Sequence, residues 1–470
     1  MVRYLISVAL LAMAGCGSPD KTSAIETPIV TLTETADRSW QVRFEFPEPQ
    51  THIVLRQAPE AYREGAWQPL SEGAELKKFG EADVIVLDAP SRSVAFEVSP
   101  RTKSVRKAYT PFLQFSDGGF GVLTGQFRFS LVDDREKLEM FEGNGETWPG
   151  ELEAYTFRLV SERPIFHGGE YIEGALEVTP TSDGDYAYVG DAGIVIGDNF
   201  AGLIDSGLPA WIRDELDNDL ALIFGELARE WEFDLPRKSE ILFVFDGADQ
   251  NGLSQTGGAI ESQLALQVSG KALLEPDEST IDYFRWFLAH ESAHLFQIAG
   301  GMDGTQSEHA WMHEGGANTM AHRIGARISS DPQGFLNEVY ERAFDECVAY
   351  LDAGASLRDA LKTGNFGAYY SCGDFIGLVT EAALPKGDIF DFWRGLIARL
   401  PGPEPQLTAD AYLAYARSEG VDETTLDWIK AMVFDPVPDP KSVLSEGLTL
   451  AKLTPEFDDS GRLISMELPR

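Results

Sequence analysis

The sequence predicts an α+β protein. A β-rich N-terminal domain, saddle-like or sandwich-like, precedes a mixed α/β segment that gives way to helices. Three observations carry this reading. Large apolar residues alternate with polar ones from Trp40 to Phe46 and again at Val94, Phe96 and Val98, the period of a strand with one buried face. Ile212, Leu216, Leu220, Ile223, Leu227 and Trp231 recur every three or four residues, the apolar face of a helix. From Ser279 to about Met432 the pattern is mainly helical.

The chain has 470 residues, with 38 lysines and arginines against 76 aspartates and glutamates, a net charge of -38. Hydrophobic residues make up 43%, enough for a sizeable core. The acidic balance argues against nucleic acid as a partner, since no basic surplus exists to neutralise phosphates. It argues equally against docking on an anionic membrane surface. Only seven histidines occur, and five of them fall between His290 and His322.

The elements follow in order. Residues 1–15 read as an export signal: Arg3 gives a positive start, and Tyr4 to Met13 is an apolar run too short to span a bilayer. Met13-Ala14-Gly15-Cys16 resembles a bacterial lipobox, which implies cleavage before Cys16 and lipidation of its thiol. Residues 16–26 would form a polar tether, so the only membrane attachment expected is the lipid anchor at Cys16. Gly17, not aspartate, follows the cysteine and favours an outer-membrane destination facing the periplasm. Residues 27–170 form the β-rich domain, with turn signals such as Asp117-Gly118-Gly119. Residues 171–400 form the mixed domain. Ser206 is a candidate N-cap and Pro209 a first-turn residue for the helix that Pro236 closes. Ile241 to Phe245 reads as a buried strand, and Leu264, Leu266 and Val268 as one face of a half-exposed strand. Ser279 with Asp282 gives a capping-box-like start to the next helix, and Gly300-Gly301 stops it. Residues 401–470 form a short helical region and tail, with a break at Pro436, Pro438 and Pro440 and a hairpin around Asp459-Ser460-Gly461. In an exported chain Cys347 and Cys372 are either bridged or two buried thiols.

Residues 290 to 294 read His-Glu-Ser-Ala-His. On a helix, positions four apart share a face, so His290 and His294 can hold one zinc ion. Glu291 lies about 100° round from His290 and suits a general base. Gln297 and Gly300 stand where a metzincin needs glycine and a third histidine, which excludes that class.

Downstream, Trp311-Met312-His313-Glu314-Gly315-Gly316-Ala317 resembles the Trp-Leu-Asn-Glu-Gly-Phe-Ala segment of the aminopeptidase N group of gluzincins. The resemblance implies a thermolysin-like catalytic domain with Glu314 as the third zinc ligand. The spacing from His294 to Glu314 is one residue longer than that group's, and His313 replaces its asparagine, so His313 as ligand stays open. Gly258-Ala259-Ile260-Glu261-Ser262 is similar to the group's Gly-Ala-Met-Glu-Asn strand. By that likeness Gly258 and Ala259 hold an extended substrate and Glu261 recognises its α-amine. Tyr370-Ser371-Cys372-Gly373 resembles the group's Tyr-Ser-Lys-Gly, which implies that Tyr370 stabilises the oxyanion, with Tyr369 as the alternative register. A Cys347–Cys372 bridge would pin this segment beside the metal.

The expectation is a zinc metallopeptidase, an aminopeptidase, acting on peptides with one zinc ion. Its rivals are an endopeptidase or narrow-substrate hydrolase of the same fold, and a catalytically silent envelope-binding lipoprotein.

Overall fold

The computed structural model describes residues 26–467 except 58–61, 102–108, 133, 182, 303–306, 352–353, 355 and 401–406. The export signal, Cys16 and nearly all of the tether lie outside the described residues.

The period-two pattern produces long antiparallel strands. Trp40–Leu55 pairs with Ala82–Val98, placing Val42 opposite Phe96 and Phe44 opposite Val94. Trp40, Val42, Phe44 and Phe46 all point inward and are buried, as their alternation requires. These strands belong to an eight-stranded sheet. A second sheet of five strands carries the hairpin Phe112–Gln114 and Phe120–Leu123, turned by Asp117-Gly118-Gly119 with Gly118 at φ 82°. One face of this second sheet (Phe112, Val122, Ile165, Val189) meets the first sheet. Its other face (Leu113, Leu123, Phe166, Tyr186, Tyr188) meets a third sheet. The pairing of the first two sheets runs on to Val189, and the third begins at Ile194.

The third sheet has the order Ile194–Ile196, Phe200–Ile204, Ser239–Phe245, Gln263–Ser269, Ser254–Ile260, with a parallel centre and antiparallel edges. The strand at Gln263–Ser269 is buried on both faces, not half-exposed. Leu264, Leu266 and Val268 pack on the helices, whereas Ala265 packs on the second sheet. The polar Gln267 disguised this in the sequence; its amide N–H donates to Asp246 Oδ2 at 2.8 Å, which satisfies the donor half of the group inside.

Helix α1 (Ala210–Trp231) connects two parallel strands, and its six expected apolar residues are all buried. It starts with Pro209 in the cap position, so Ser206 is not the cap. It ends at Glu232 in the left-handed conformation, before Pro236 is reached. Helix α2 (Glu278–Ala299) is capped by Asp277, whose Oδ2 accepts the Thr280 N–H at 3.0 Å; the Ser279–Asp282 box does not form. Helices α3 (Ala310–Ile328), α4 (Pro332–Leu351) and α5 (Gly367–Ala383) follow. Later helices include Pro440–Leu450, where Pro440 occupies the first turn and starts a helix that the sequence reading treated as a break. The tail forms the expected hairpin, Thr454–Phe457 with Leu463–Glu467. Among the described residues, no helix is long and apolar enough to cross a membrane.

Candidate metal centre

Helix α2 presents His290 and His294 on one buried face, with Nε2 atoms 3.1 Å apart. Helix α3 brings Glu314 to them: its Oε2 lies 3.2 Å from His294 Nε2 and 3.6 Å from His290 Nε2. The three ligand atoms all fall within 4.8 Å of one another. That Oε2 is buried and has no hydrogen-bond partner, and the three ligand atoms converge closely enough to share one ion. Two imidazole nitrogens and a carboxylate oxygen around one point are a zinc donor set. Burial alone would raise the Glu314 carboxyl, but the imidazoles of His290, His294 and His313 hold it well below the usual carboxylate range.

A second layer fixes the ring of His294. Its Nδ1 lies 2.8 Å from Gln297 Oε1, and Gln297 Nε2 donates to the His313 carbonyl at 3.0 Å. The donation orients the amide, so the imidazole carries its proton on Nδ1 and turns a lone pair on Nε2 to the centre. Gln297 is fully buried. The sequence reading used this residue only to exclude the metzincin pattern. Its place three residues after His294, on the same helix face, is the signal that could have found it.

His313 does not join the cluster edge-on. Its ring lies flat on His294, centroids 4.1 Å apart and planes 13° apart, with Nδ1 3.8 Å from Glu314 Oε1. Burial pushes its pKa down. His309 and His322 are buried outside the cluster, His322 with Nδ1 3.1 Å from Asp374 Oδ2.

The approach of α3 to α5 explains the glycine that follows Glu314. A Cβ on Gly315 would stand 2.3 Å from the Gly373 carbonyl carbon, and one on Gly373 would stand 2.4 Å from the Trp311 oxygen. The two backbones are therefore in direct contact, which only glycine permits. This contact sets Tyr370 over the centre. Its ring stacks on His290 with centroids 5.6 Å apart. Burial, then the charges of Glu314 and Glu291, push the phenol pKa well up. Tyr369 points into the core, its hydroxyl accepting the Leu361 N–H at 3.3 Å. Cys347 of α4 and Cys372 of α5 form a disulfide with Cα atoms 5.0 Å apart, two residues from Tyr370.

The edge strand Ser254–Ile260 lies across Glu291. The Ala259 N–H donates to Glu291 Oε2 at 2.9 Å, and a Cβ on Gly258 would stand 3.4 Å from the same oxygen. The carbonyl of Ala259 accepts the hydroxyl of Tyr109, a residue of the N-terminal β unit. In an antiparallel ladder the N–H and C=O of one residue point to the same side. Both Ala259 groups are taken by side chains, so they face the free edge of the sheet. Burial, with Glu291, Asp183 and Glu314 adding to it, pushes the Tyr109 pKa up to about 12. Tyr109 escaped the sequence reading because its partner lies 150 residues away and no motif marks it. Glu261 occupies the two-residue turn after this strand, exposed and at φ 52°; among the described residues, no hydrogen bond or ion pair joins it to the cluster.

No family model matches the chain, and no curated protein matches it by sequence. Solved structures do. An aminopeptidase N family protein from Idiomarina loihiensis superposes with TM-score 0.62 at 14% identity, covering 92% of this chain and 80% of that one. Yeast LTA4 hydrolase gives TM-score 0.47 at 14% identity over 88% of this chain and 68% of that one, too loose a match to argue from. The first likeness establishes the fold: a β-rich N-terminal domain followed by a helical C-terminal region, 41% helix and 28% strand.

Proposed function

We propose that the chain is a zinc-dependent metallopeptidase that removes the N-terminal residue of peptides. The observation that carries this reading is the convergence of His290 Nε2, His294 Nε2 and Glu314 Oε2 on one point, with that carboxylate oxygen buried and without a hydrogen bond. A zinc ion held there would supply Lewis acidity toward the scissile carbonyl and lower the pKa of a water. Glu291 stands beside the ligand set without belonging to it, and its carboxylate is oriented by the Ala259 N–H. It takes the water proton and delivers it to the leaving amine. Tyr370, kept protonated by burial and neighbouring carboxylates, donates its hydroxyl to the oxyanion.

The test is zinc stoichiometry and peptide hydrolysis for the wild type and Glu291→Gln. Hydrolysis falls at least ~100-fold while bound zinc is retained; undiminished turnover in the variant sinks the mechanism. The exposed turn position of Glu261 favours one competing reading, an endopeptidase, because no contact ties the residue expected to recognise the α-amine to the centre. Acetylating the substrate's α-amine separates the two: an aminopeptidase loses activity and an endopeptidase keeps it. The protein is anchored by a lipid on Cys16 in the outer membrane, facing the periplasm. Cys16→Ser then moves it to the soluble periplasmic fraction, and an unchanged membrane fraction refutes the anchor.

A further inference from the structure

A cavity of about 240 Å³, room for roughly eight waters, opens one helical turn from the metal cluster. Trp286 and Asn318 line it. Trp286 precedes His290 by four residues on α2, with ring centroids 6.0 Å apart. Asn318 follows Glu314 by four residues on α3, and its Oδ1 accepts the Trp286 indole N–H at 3.2 Å. Tyr370, whose ring stacks on His290, also lines the cavity. Arg342, half-buried on α4, lines the far wall.

The guanidinium of Arg342 lies over Trp286, 4.7 Å from the ring centroid, and over Tyr283 at 5.8 Å. These cation–π contacts hold the group beside the rings without occupying its N–H donors. In this strongly acidic chain other arginines of the helical region hold carboxylates: Arg285 holds Asp219, Arg323 holds Glu381 and Arg394 holds Glu232. Arg342 has no ion pair or hydrogen bond among the described residues. Two carboxylates stand near it on its own helix. Glu346 lines the same cavity but accepts the Ser371 hydroxyl at 2.6 Å, and Glu338 feels its charge without pairing.

We propose that this cavity is a carboxylate-binding subsite of the peptidase, with Arg342 as the recognising cation. The proposal rests on the metallopeptidase reading and adds a substrate class to it: short peptides that present a carboxylate beside the scissile bond, either the terminal α-carboxylate or an acidic side chain. A planar guanidinium held in an aromatic-walled pocket favours bidentate pairing with such a group.

Four probes test it with the full exported protein: Ala-Ala, Ala-Asp-amide, Ala-Ala-amide and Asp-Ala-amide. KM for Ala-Ala-amide, which carries no carboxylate, exceeds that of at least one acid-bearing probe by about 10- to 100-fold. Which probe gains identifies the source of the carboxylate. In Arg342→Gln that KM ratio falls to near one, in Arg342→Lys it is partly kept, and in Glu346→Gln it is kept or increased. Calorimetric binding of the same probes to Glu291→Gln, with and without Arg342→Gln, reads the preference without turnover. If no probe is cleaved but Arg342 still governs binding of the acid-bearing probes, the subsite stands and the peptidase reading falls. If all four are cleaved with equal KM, or the ratio survives Arg342→Gln in a protein whose thermal unfolding is unchanged, the subsite is overturned and the peptidase reading stands. Failure of every probe to bind overturns it as well.

Discussion

Gln297 sits behind the candidate metal centre, and its replacement separates a positioning role from simple packing. Gln297→Leu keeps most of the side-chain volume and removes both hydrogen bonds, the 2.8 Å contact to His294 Nδ1 and the 3.0 Å donation to the His313 carbonyl. Gln297 and His294 are buried, so water does not readily replace the bond to Nδ1; His313, at the other bond, is half-buried. Each orphaned group costs about 1–3 kcal/mol. Part of that appears as lost stability. The rest appears at the centre, because His294 is then free to turn or to move its proton to Nε2 and withdraw a lone pair. Loss of such an outer partner weakens metal binding by about 10- to 100-fold, equivalent to about 1.4–2.8 kcal/mol. The assay is zinc competition against a chelator of known affinity, with urea unfolding of the metal-free protein alongside. Gln297→Glu is the discriminating variant. It keeps an acceptor for the His294 Nδ1–H and loses only the donor to His313, so zinc affinity stays near or above the wild type while stability falls. Zinc affinity in Gln297→Leu within twofold of the wild type would refute the reasoning. So would equal losses in the two variants, which would mean that Gln297 only fills space.

Three further outcomes follow from packing and charge. Gly315→Ala drives a methyl into the Gly373 backbone of α5, and the unfolding midpoint in urea falls by the equivalent of about 1–3 kcal/mol or more; an unchanged midpoint contradicts the close approach. Replacing Cys347 and Cys372 together by serine opens a loop with a sequence separation of 25 and costs about 3 kcal/mol, measured as the non-reducing denaturation midpoint against the wild type. At the junction of the second and third sheets, His167 Nε2 lies 2.9 Å from Asp185 Oδ2. Burial disfavours the imidazolium, but Asp185, aided by Glu240 and opposed by Arg237, raises the His167 pKa above its ordinary 6.5. The same pairing, against burial, lowers Asp185 below 3.8. The pair therefore stabilises fully between about 3.8 and 6.5 and weakens as pH rises through the raised His167 value. Unfolding midpoints of the wild type drop across that rise, and His167→Gln flattens the drop; parallel pH curves for the two proteins refute the pairing.

What the sequence by itself determined was local. The four-residue spacing of His290 and His294 sets two imidazoles on one face of any helix they occupy, and Glu291 follows from the same geometry. The alternation at Trp40 to Phe46 and the three-to-four spacing of α1 record which side chains are buried, so both elements were legible. The tertiary structure decided what does the burying. A strand pattern interrupted by the polar Gln267 looks half-exposed until a second sheet is laid on it. Helix starts shifted to Asp277 and Pro209 because a cap depends on the backbone that precedes it, which composition does not encode. That Tyr370 and not Tyr369 stacks on His290 depends on the rotation of α5 against α3, set by the Gly315–Gly373 contact. Tyr109 reaches Ala259, and Arg342 reaches the wall of the cavity beside Tyr370, only through chain folding over long separations. Such contacts leave no periodic mark in a sequence, because periodicity reports the side chain's own element and not the partner that covers it.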